Sequence, residues 1–459
     1  MKKLFSLLLA ATMTFSLTLP ALADHYTYSE PEKSTMMPRS TPETHGMSSQ
    51  YILDLLDAFD YADAEVHNIL MAIDGEVVFE GHYAPYTALD PHIMFSGTKI
   101  FTNAAVGVAV TEGYLHLDDY VYDVLKDYVT QDVSELQSKV QLKHLLTMTS
   151  GVDRFMSGSE LRPLTTSWIE HILTEPIVHE PGTYYLYSSG NTMLSSAMVT
   201  VATGKTCLEL LNTTGFCEEL GIKNFTWDMS PDGFNAGHGG IKITAEDLAK
   251  VGQLYMNGGV WNGKQILSKE WCDLAIGYEK TVENQGAYAY HWTAYEDGLY
   301  YTATGSYGQT LAICPKLNMV IAIQAGTKQN IGELLYQNIF KPYGDALDAG
   351  TVPEPDDALS AALAKRAENL NLMFTTDFTA SPIGELVDDV TFTAAENQYG
   401  ITTLSLDVHD DYIDYTMTDA RGTHTIRNGI WQWLKGETSM TSNYTHHQYQ
   451  YPTEPVYAY

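Results

Sequence analysis

The chain has 459 residues, 44% of them apolar and 18% charged, a length that suggests more than one folding unit and a balance that excludes an intrinsically disordered chain. Its formal charge of −32 excludes nucleic acid and other polyanions as natural partners, because the summed field repels them and no basic patch gathers phosphates. Cys207, Cys217, Cys272 and Cys314 lack paired close spacing, which excludes a zinc pattern and a dense disulfide framework. A Cys207–Cys217 bridge and separately buried thiols both stay open.

Met1-Lys2-Lys3, an apolar run from Leu4 to Pro20 and Ala21-Leu22-Ala23 read as an export signal cleaved after Ala23. A basic start, a short apolar stretch and small residues just before the cut are what signal peptidase recognises. The run is too short for a membrane anchor, so the mature protein, taken from −32 to −34 by loss of Lys2 and Lys3, is expected to be secreted, with no anchor left after cleavage. Polar, proline-bearing residues follow to about position 43. Ile52, Leu55, Leu56 and Phe59 then recur at helical spacing. Ile69–Ile73 and Val77–Phe79 flank Asp74-Gly75, a dipeptide suited to the tight turn of a hairpin.

Next comes Phe95-Ser96-Gly97-Thr98-Lys99-Ile100, opening an apolar helical pattern through Phe101, Ala104 and Val108. Three residues apart at a helix start, a hydroxyl and an amine can touch. The helix N-terminus adds positive potential where an oxyanion forms, and a lysine kept neutral can accept the serine proton. Taken alone, Ser-x-x-Lys fits a helix cap with a surface lysine better than a catalytic pair. The middle of the chain is helix-rich. Strands return at Leu311–Cys314 and Met319–Ile323, followed by a helical pattern from Ile331 to Phe340. Strands at both ends of a mostly helical region predict an α+β domain whose antiparallel sheet is closed by N- and C-terminal strands, flanked by helices and a helix-rich subdomain.

Pro353 and Pro355 mark a break, and Asp357–Leu372 has the pattern of a connecting helix. Beyond it, Leu404, Leu406 and Val408, then Ile413, Tyr415 and Met417, alternate with polar residues as strands do. The expected division is a signal at 1–23, a main domain at 24–348, a linker and helix at 349–372 and a small β-rich domain at 373–459. Trp431, Trp433 and the tyrosines there could bind sugars or peptides, but filling that small core is the preferred expectation. His446 and His447 face opposite ways on a strand, which argues for surface residues over a metal site.

Several segments in register with Ser96 give the motif weight. Thr111–Asp119, Leu142–Gly151, Pro181–Asn191, Ile243–Lys250 with Gly252–Tyr255, and Trp261–Leu267 resemble class C β-lactamases and related penicillin-binding-protein-like serine hydrolases, over roughly Thr41 to Pro342. The resemblance implies the β-lactamase/transpeptidase-like fold. It also implies acyl transfer with Ser96 as nucleophile, Lys99 as base and Tyr187 assisting proton transfer, without metal or organic cofactor. Ser306, Gly305 and Thr304 would form the third motif, with the backbone N–H groups of Ser306 and Ser96 making the oxyanion hole. Ser189 and Asn191 would touch substrate.

Two departures bear on the substrate. Ala303 stands where such proteins often carry a cation that holds a substrate carboxylate, and Ser189 stands where class C enzymes have asparagine. Both favour an ester- or amide-hydrolysing relative, acting on a small molecule or peptide, over a β-lactamase or D-amino-acid peptidase acting on cell-wall-related amides. A catalytically silent protein that binds a cell-wall fragment is the third reading. Tyr290, His291 and Trp292 are expected along a cleft wall near the third motif, with core packing as the alternative, His144 is expected to be a packed helix residue, and His238 is either in the cleft or in a turn.

Overall fold

A computed structural model describes residues 34–223, 225–277, 282–372, 383–440 and 454–458. The export signal and the pair His446–His447 lie outside the described residues. The chain divides into two compact units, described here as 34–372 and as 383–440 with 454–458.

In the first unit, α1 (Ser49–Tyr61) is capped by the Ser48 side chain, which accepts from Gln50 N–H, and it buries Ile52, Leu55, Leu56 and Phe59. β1 (Val66–Ile73) and β2 (Glu76–His82) pair antiparallel. Their turn has φ of 54° at Asp74 and 81° at Gly75, the left-handed pair that a two-residue hairpin needs. Three longer helices follow: α2 (Lys99–Thr111), α3 (Ser189–Thr203) and α4 (Ala245–Met256). Four strands then come in succession: β3 (Thr293–Tyr295), β4 (Tyr300–Gly305), β5 (Gln309–Cys314) and β6 (Met319–Ala325).

These strands form one antiparallel sheet in the order β2-β1-β6-β5-β4-β3. The first and last strands meet directly, with Met71 opposite Ile321 and Ile73 opposite Met319, as the strand placement in the sequence predicts. Because successive side chains point to opposite faces, the sheet feeds two cores. Leu70, Ala72, Leu311, Ile313, Val320 and Ala322 pack toward α2, α3 and α4. Ile69, Met71, Ala312, Met319, Ile321 and Ile323 pack toward α1 and the helices after β6. Each fully buried side chain of this kind contributes about 1.5–3 kcal/mol, so the central strands are tightly specified in register.

The helical pattern from Ile331 is interrupted. An α-turn at Ile331–Leu335 widens to a π-turn at Tyr336–Phe340 before a helix at Lys341–Ala349. Pro342 has no N–H to give the carbonyl four residues back, which accounts for the local change of hydrogen bonding. The segment read as a linker is part of the first unit. Its helix α5 (Asp357–Glu368) buries Leu363, which joins Leu370 in the α1-side core, and Asn371 bridges to Ala84. Leu363 and Leu370, with Ala367 and Leu372 packed against the same core, make the segment a packing element, so the unit extends past 349 to at least Leu372.

The second unit is an antiparallel sheet of β7 (Val390–Thr393), β8 (Thr403–Val408), β9 (Tyr412–Asp419) and β10 (Gly422–Gly429), in sequence order. β11 (Leu434–Thr438) pairs with β12 (Glu454–Ala458). Leu404 faces Met417 and Leu406 faces Tyr415, the alternation seen in the sequence. Trp431 departs from expectation. It is 42% exposed with φ of 62°, so it belongs to a turn and not to the core.

Candidate active site

Ser96 lies in a 3-10 turn, Phe95–Thr98, that runs straight into α2, whose first residue is Lys99. The turn is pinned from two sides. Met94 N–H donates to Ile241 O at 2.9 Å and Gly97 N–H to Met94 O at 2.8 Å, while Ile241 N–H donates to the Thr98 hydroxyl at 3.2 Å. Lys99 Nζ donates to Ser96 Oγ at 3.1 Å and to the His238 carbonyl at 3.0 Å. Lys99 is 2% exposed, and neither of these partners is a carboxylate. The lysine is therefore held on the serine by neutral oxygens.

Tyr187 sits in the extended segment just before α3. Leu186 N–H donates to Met148 O and Ser189 N–H to Met156 O, each at 2.9 Å. Asn284 clamps the neighbouring Tyr185 backbone from both directions. The Tyr187 ring lies under Lys99 Nζ, 4.9 Å from its centroid, and stands edge-on to Tyr288 at 6.0 Å.

The end of β4 forms the facing wall. A Cβ at Gly305 would sit 2.0 Å from the Met94 carbonyl oxygen, so glycine is what lets this strand close on the turn that carries Ser96. Ser96, Lys99, Tyr187, Thr304, Gly305 and Ser306 all line one cleft of about 290 Å³. Tyr185, Tyr288, His291, Thr293 and Thr302 complete it. A larger cavity of about 610 Å³ is lined instead by residues such as Thr147, Asp273 and Tyr290. It holds none of Ser96, Lys99 and Tyr187, so the grouping of reactive side chains, not volume, identifies the site.

Several expected placements change. Ser189 and Asn191 do not line the cleft. Asn191 turns into the packed side of α3, where its Oδ1 accepts from Ser150 Oγ at 2.8 Å, and Ser189 is buried at the helix start. Ala303 faces the core and pairs with Leu311; alternation gives the cleft-facing positions on β4 to Thr302 and Thr304. Of Tyr290, His291 and Trp292, only His291 lines the cleft. Trp292 is fully buried against Tyr255, and Tyr290 packs near Trp271.

His291 Nδ1–H donates to the Lys99 carbonyl at 3.0 Å, since a carbonyl only accepts. That leaves Nε2 unprotonated, facing the Thr192 hydroxyl at 3.4 Å. Burial pushes its pKa down to about 3. His144 is a packed helix residue whose Nδ1 accepts from Gln141 N–H, with a pKa pushed down to about 4 by burial. His238 is buried against Trp168 and serves the site through its carbonyl. All four cysteines are free and buried. Carboxylate and histidine groups close enough to share an ion occur at Glu160, His171 and Glu175 and in the second unit. Arg154 already pairs with Glu160 and Glu175, and none of these groups borders the cleft.

Sequence reasoning did not single out Tyr185, Tyr288, Thr293 and Thr302. The spacing of Thr302, Thr304 and Ser306 on a strand was the available signal for one of them.

The cleft thus joins a serine hydroxyl held by a buried lysine, a tyrosine ring under the same nitrogen and a strand end opposite. The family model described as Beta-lactamase matches residues 67–341, and the chain belongs to that family as a serine hydrolase. A 6-aminohexanoate-dimer hydrolase from Paenarthrobacter ureafaciens is 24% identical over 274 residues, covering 54% of this chain and 69% of that protein. Among solved structures, a Bacillus anthracis chain provisionally named as a 6-aminohexanoate-dimer hydrolase is similar, with 22% identity, a TM-score of 0.58 and coverage of 70% of this chain and 90% of that one. The octameric penicillin-binding protein homologue from Pyrococcus abyssi has 17% identity and a TM-score of 0.51, covering 89% and 94% of the two chains. At these identities the structures share the fold.

Proposed function

We propose that the protein is an exported hydrolase that forms an acyl-enzyme on Ser96 with an ester or amide substrate. The observation that carries this reading is the 3.1 Å contact between Lys99 Nζ and Ser96 Oγ. The hydroxyl proton passes to Lys99 Nζ while Oγ bonds to the substrate carbonyl carbon. The carbonyl oxygen becomes an anion that accepts from the backbone N–H groups of Ser96 and Ser306, a contribution of about 10²–10³-fold per donor in related chemistry. Tyr187 passes the proton to the leaving group as its bond to carbon breaks, and water then releases the acyl group. The naming of the Paenarthrobacter relative for hydrolysis of a 6-aminohexanoate dimer supports such chemistry over a silent binding role. Export rests on the amino-terminal pattern ending at Ala23, and a mature protein starting at Asp24 in a culture supernatant would support it.

The test is covalent. A fluorophosphonate should leave one adduct on Ser96, located by mass spectrometry and absent in Ser96→Ala. No adduct under conditions that label another serine hydrolase would sink the reading. Rapid turnover of a chromogenic cephalosporin, without turnover of short-chain aryl esters, would replace ester or amide hydrolysis by β-lactam chemistry.

A further inference from the structure

Beside the reacting pair, the cleft carries two hydroxyls that the protein leaves unsatisfied. Tyr288 is 7% exposed and Thr302 2%. Both line the cleft, and among the described residues neither hydroxyl oxygen has a hydrogen-bond partner. Buried polar groups are normally paired, and an orphan is a standing cost to stability that a ligand can relieve. Thr302 stands opposite Thr293, another lining residue, across the β3–β4 pair. Thr304 lies two residues further along the same side of β4 and also lines the cleft. Burial drives the Tyr288 phenol far above its usual range, so it stays protonated and able to donate at any working pH. Among the described residues lining the cleft, Lys99 is the one amine or guanidinium and no carboxylate is present. Lys99 is already engaged by Ser96 and His238. The wall offers hydrogen bonds but no free charge.

We propose that Tyr288 and Thr302 are specificity-determining residues that hydrogen-bond a neutral polar group, a carboxamide or hydroxyl, on the leaving-group side of the substrate. The side follows from the Tyr288 ring abutting Tyr187, which protonates the leaving group in the reaction proposed above, and the inference rests on that reading. A carboxylate in the same place would be desolvated with no free cation to meet it, and an apolar group would leave both hydroxyls orphaned.

The experiment uses the butyrate esters of 3-hydroxybenzamide, 3-hydroxybenzoate and 3-cresol. Each kcat/KM is divided by the rate of alkaline hydrolysis of the same ester to remove intrinsic reactivity. The parent should prefer the benzamide ester over both others by about tenfold or more, a factor typical of one buried hydrogen bond. Tyr288→Phe keeps the ring contact with Tyr187, and Thr302→Val keeps the side-chain shape. In each, the benzamide-to-cresol ratio should fall about tenfold. A parent that prefers the benzoate ester, or a ratio within twofold of parental in both variants, overturns the inference. Fluorophosphonate labelling of Ser96 run in parallel separates the two failures. With the label present, an unchanged ratio removes only this assignment; without it, the hydrolase reading falls as well.

Discussion

Substituting Gly305 by alanine tests whether the close approach of β4 to the nucleophile turn sets the reactive geometry. The added Cβ would meet the Met94 carbonyl oxygen at 2.0 Å and its carbon at 3.1 Å, where real Cβ contacts do not fall below 3.0 Å. The strand end must therefore retreat by about 1 Å, and neither partner yields easily. Met94 is held by Ile241 and by Gly97, and Gly305 is paired with Gln309. A displacement of about 1 Å between a nucleophile and its positioning groups costs about 10²-fold in rate, or about 2.7 kcal/mol of transition-state stabilisation. The second-order rate of fluorophosphonate labelling should fall by that factor. The overpacking itself should cost about 1–3 kcal/mol of stability in a urea melt. Gly332→Ala is the control, since its Cβ would meet only the Asn330 side chain, at 3.5 Å, and it should label at the parental rate. A Gly305→Ala protein that is folded and labels within fivefold of the parent would refute the reasoning.

Three further outcomes follow from buried groups. Lys250 and Asp247 form an ion pair at 2.6 Å with side chains 1% and 0% exposed; Lys250→Met, which leaves the buried carboxylate without its counter-charge and with the Ser34 hydroxyl at 2.7 Å, should cost about 3–5 kcal/mol in chemical denaturation. The fully buried His291, with its pKa near 3, stays neutral in the folded state while the unfolded chain takes up a proton below about pH 6.5. Its contribution to stability is therefore lost as pH falls from about 6.5 toward 3, by about 2 kcal/mol at pH 5. His291→Gln should show a correspondingly shallower loss between pH 7 and 5, and an unchanged slope would contradict the assignment. Burial pushes the thiols of Cys207, Cys217 and Cys272 up to about 12 and that of Cys314 up to about 11. A disulfide-exchange reagent should find no thiol in the native protein and four after unfolding.

The fold was legible where local chemistry and periodicity agreed. Asp74-Gly75 fixed a hairpin, the α1 face fell on the residues with helical spacing, and the distant pairing of β1 with β6 followed from apolar strands at both ends of a helical region. The contact of Ser96 with Lys99 was legible because three residues of helix-like backbone bring the side chains together. What failed had a common cause: the direction of a side chain is set by what packs around it. Asn191 was expected to touch substrate from the family resemblance, yet α3 begins between it and Tyr187 and turns it toward Ser150. Ala303 looked like the cleft position until the pairing with Leu311 fixed which side of β4 faces the core. Tyr288 and Thr302 were hidden because nothing in a sequence marks a hydroxyl as unpartnered.

The place of β6 in the sheet also governs when the protein can become active. It is the last strand of the sheet to be synthesised, yet it lies inside it, between β1 and β5. Until residues Met319–Ala325 are in place, β1 lacks its partner and both cores lack their shared wall. Folding of the first unit is consequently a late, long-range event. A chain ending before that strand should hold Ser96 and Lys99 in sequence without holding them in space.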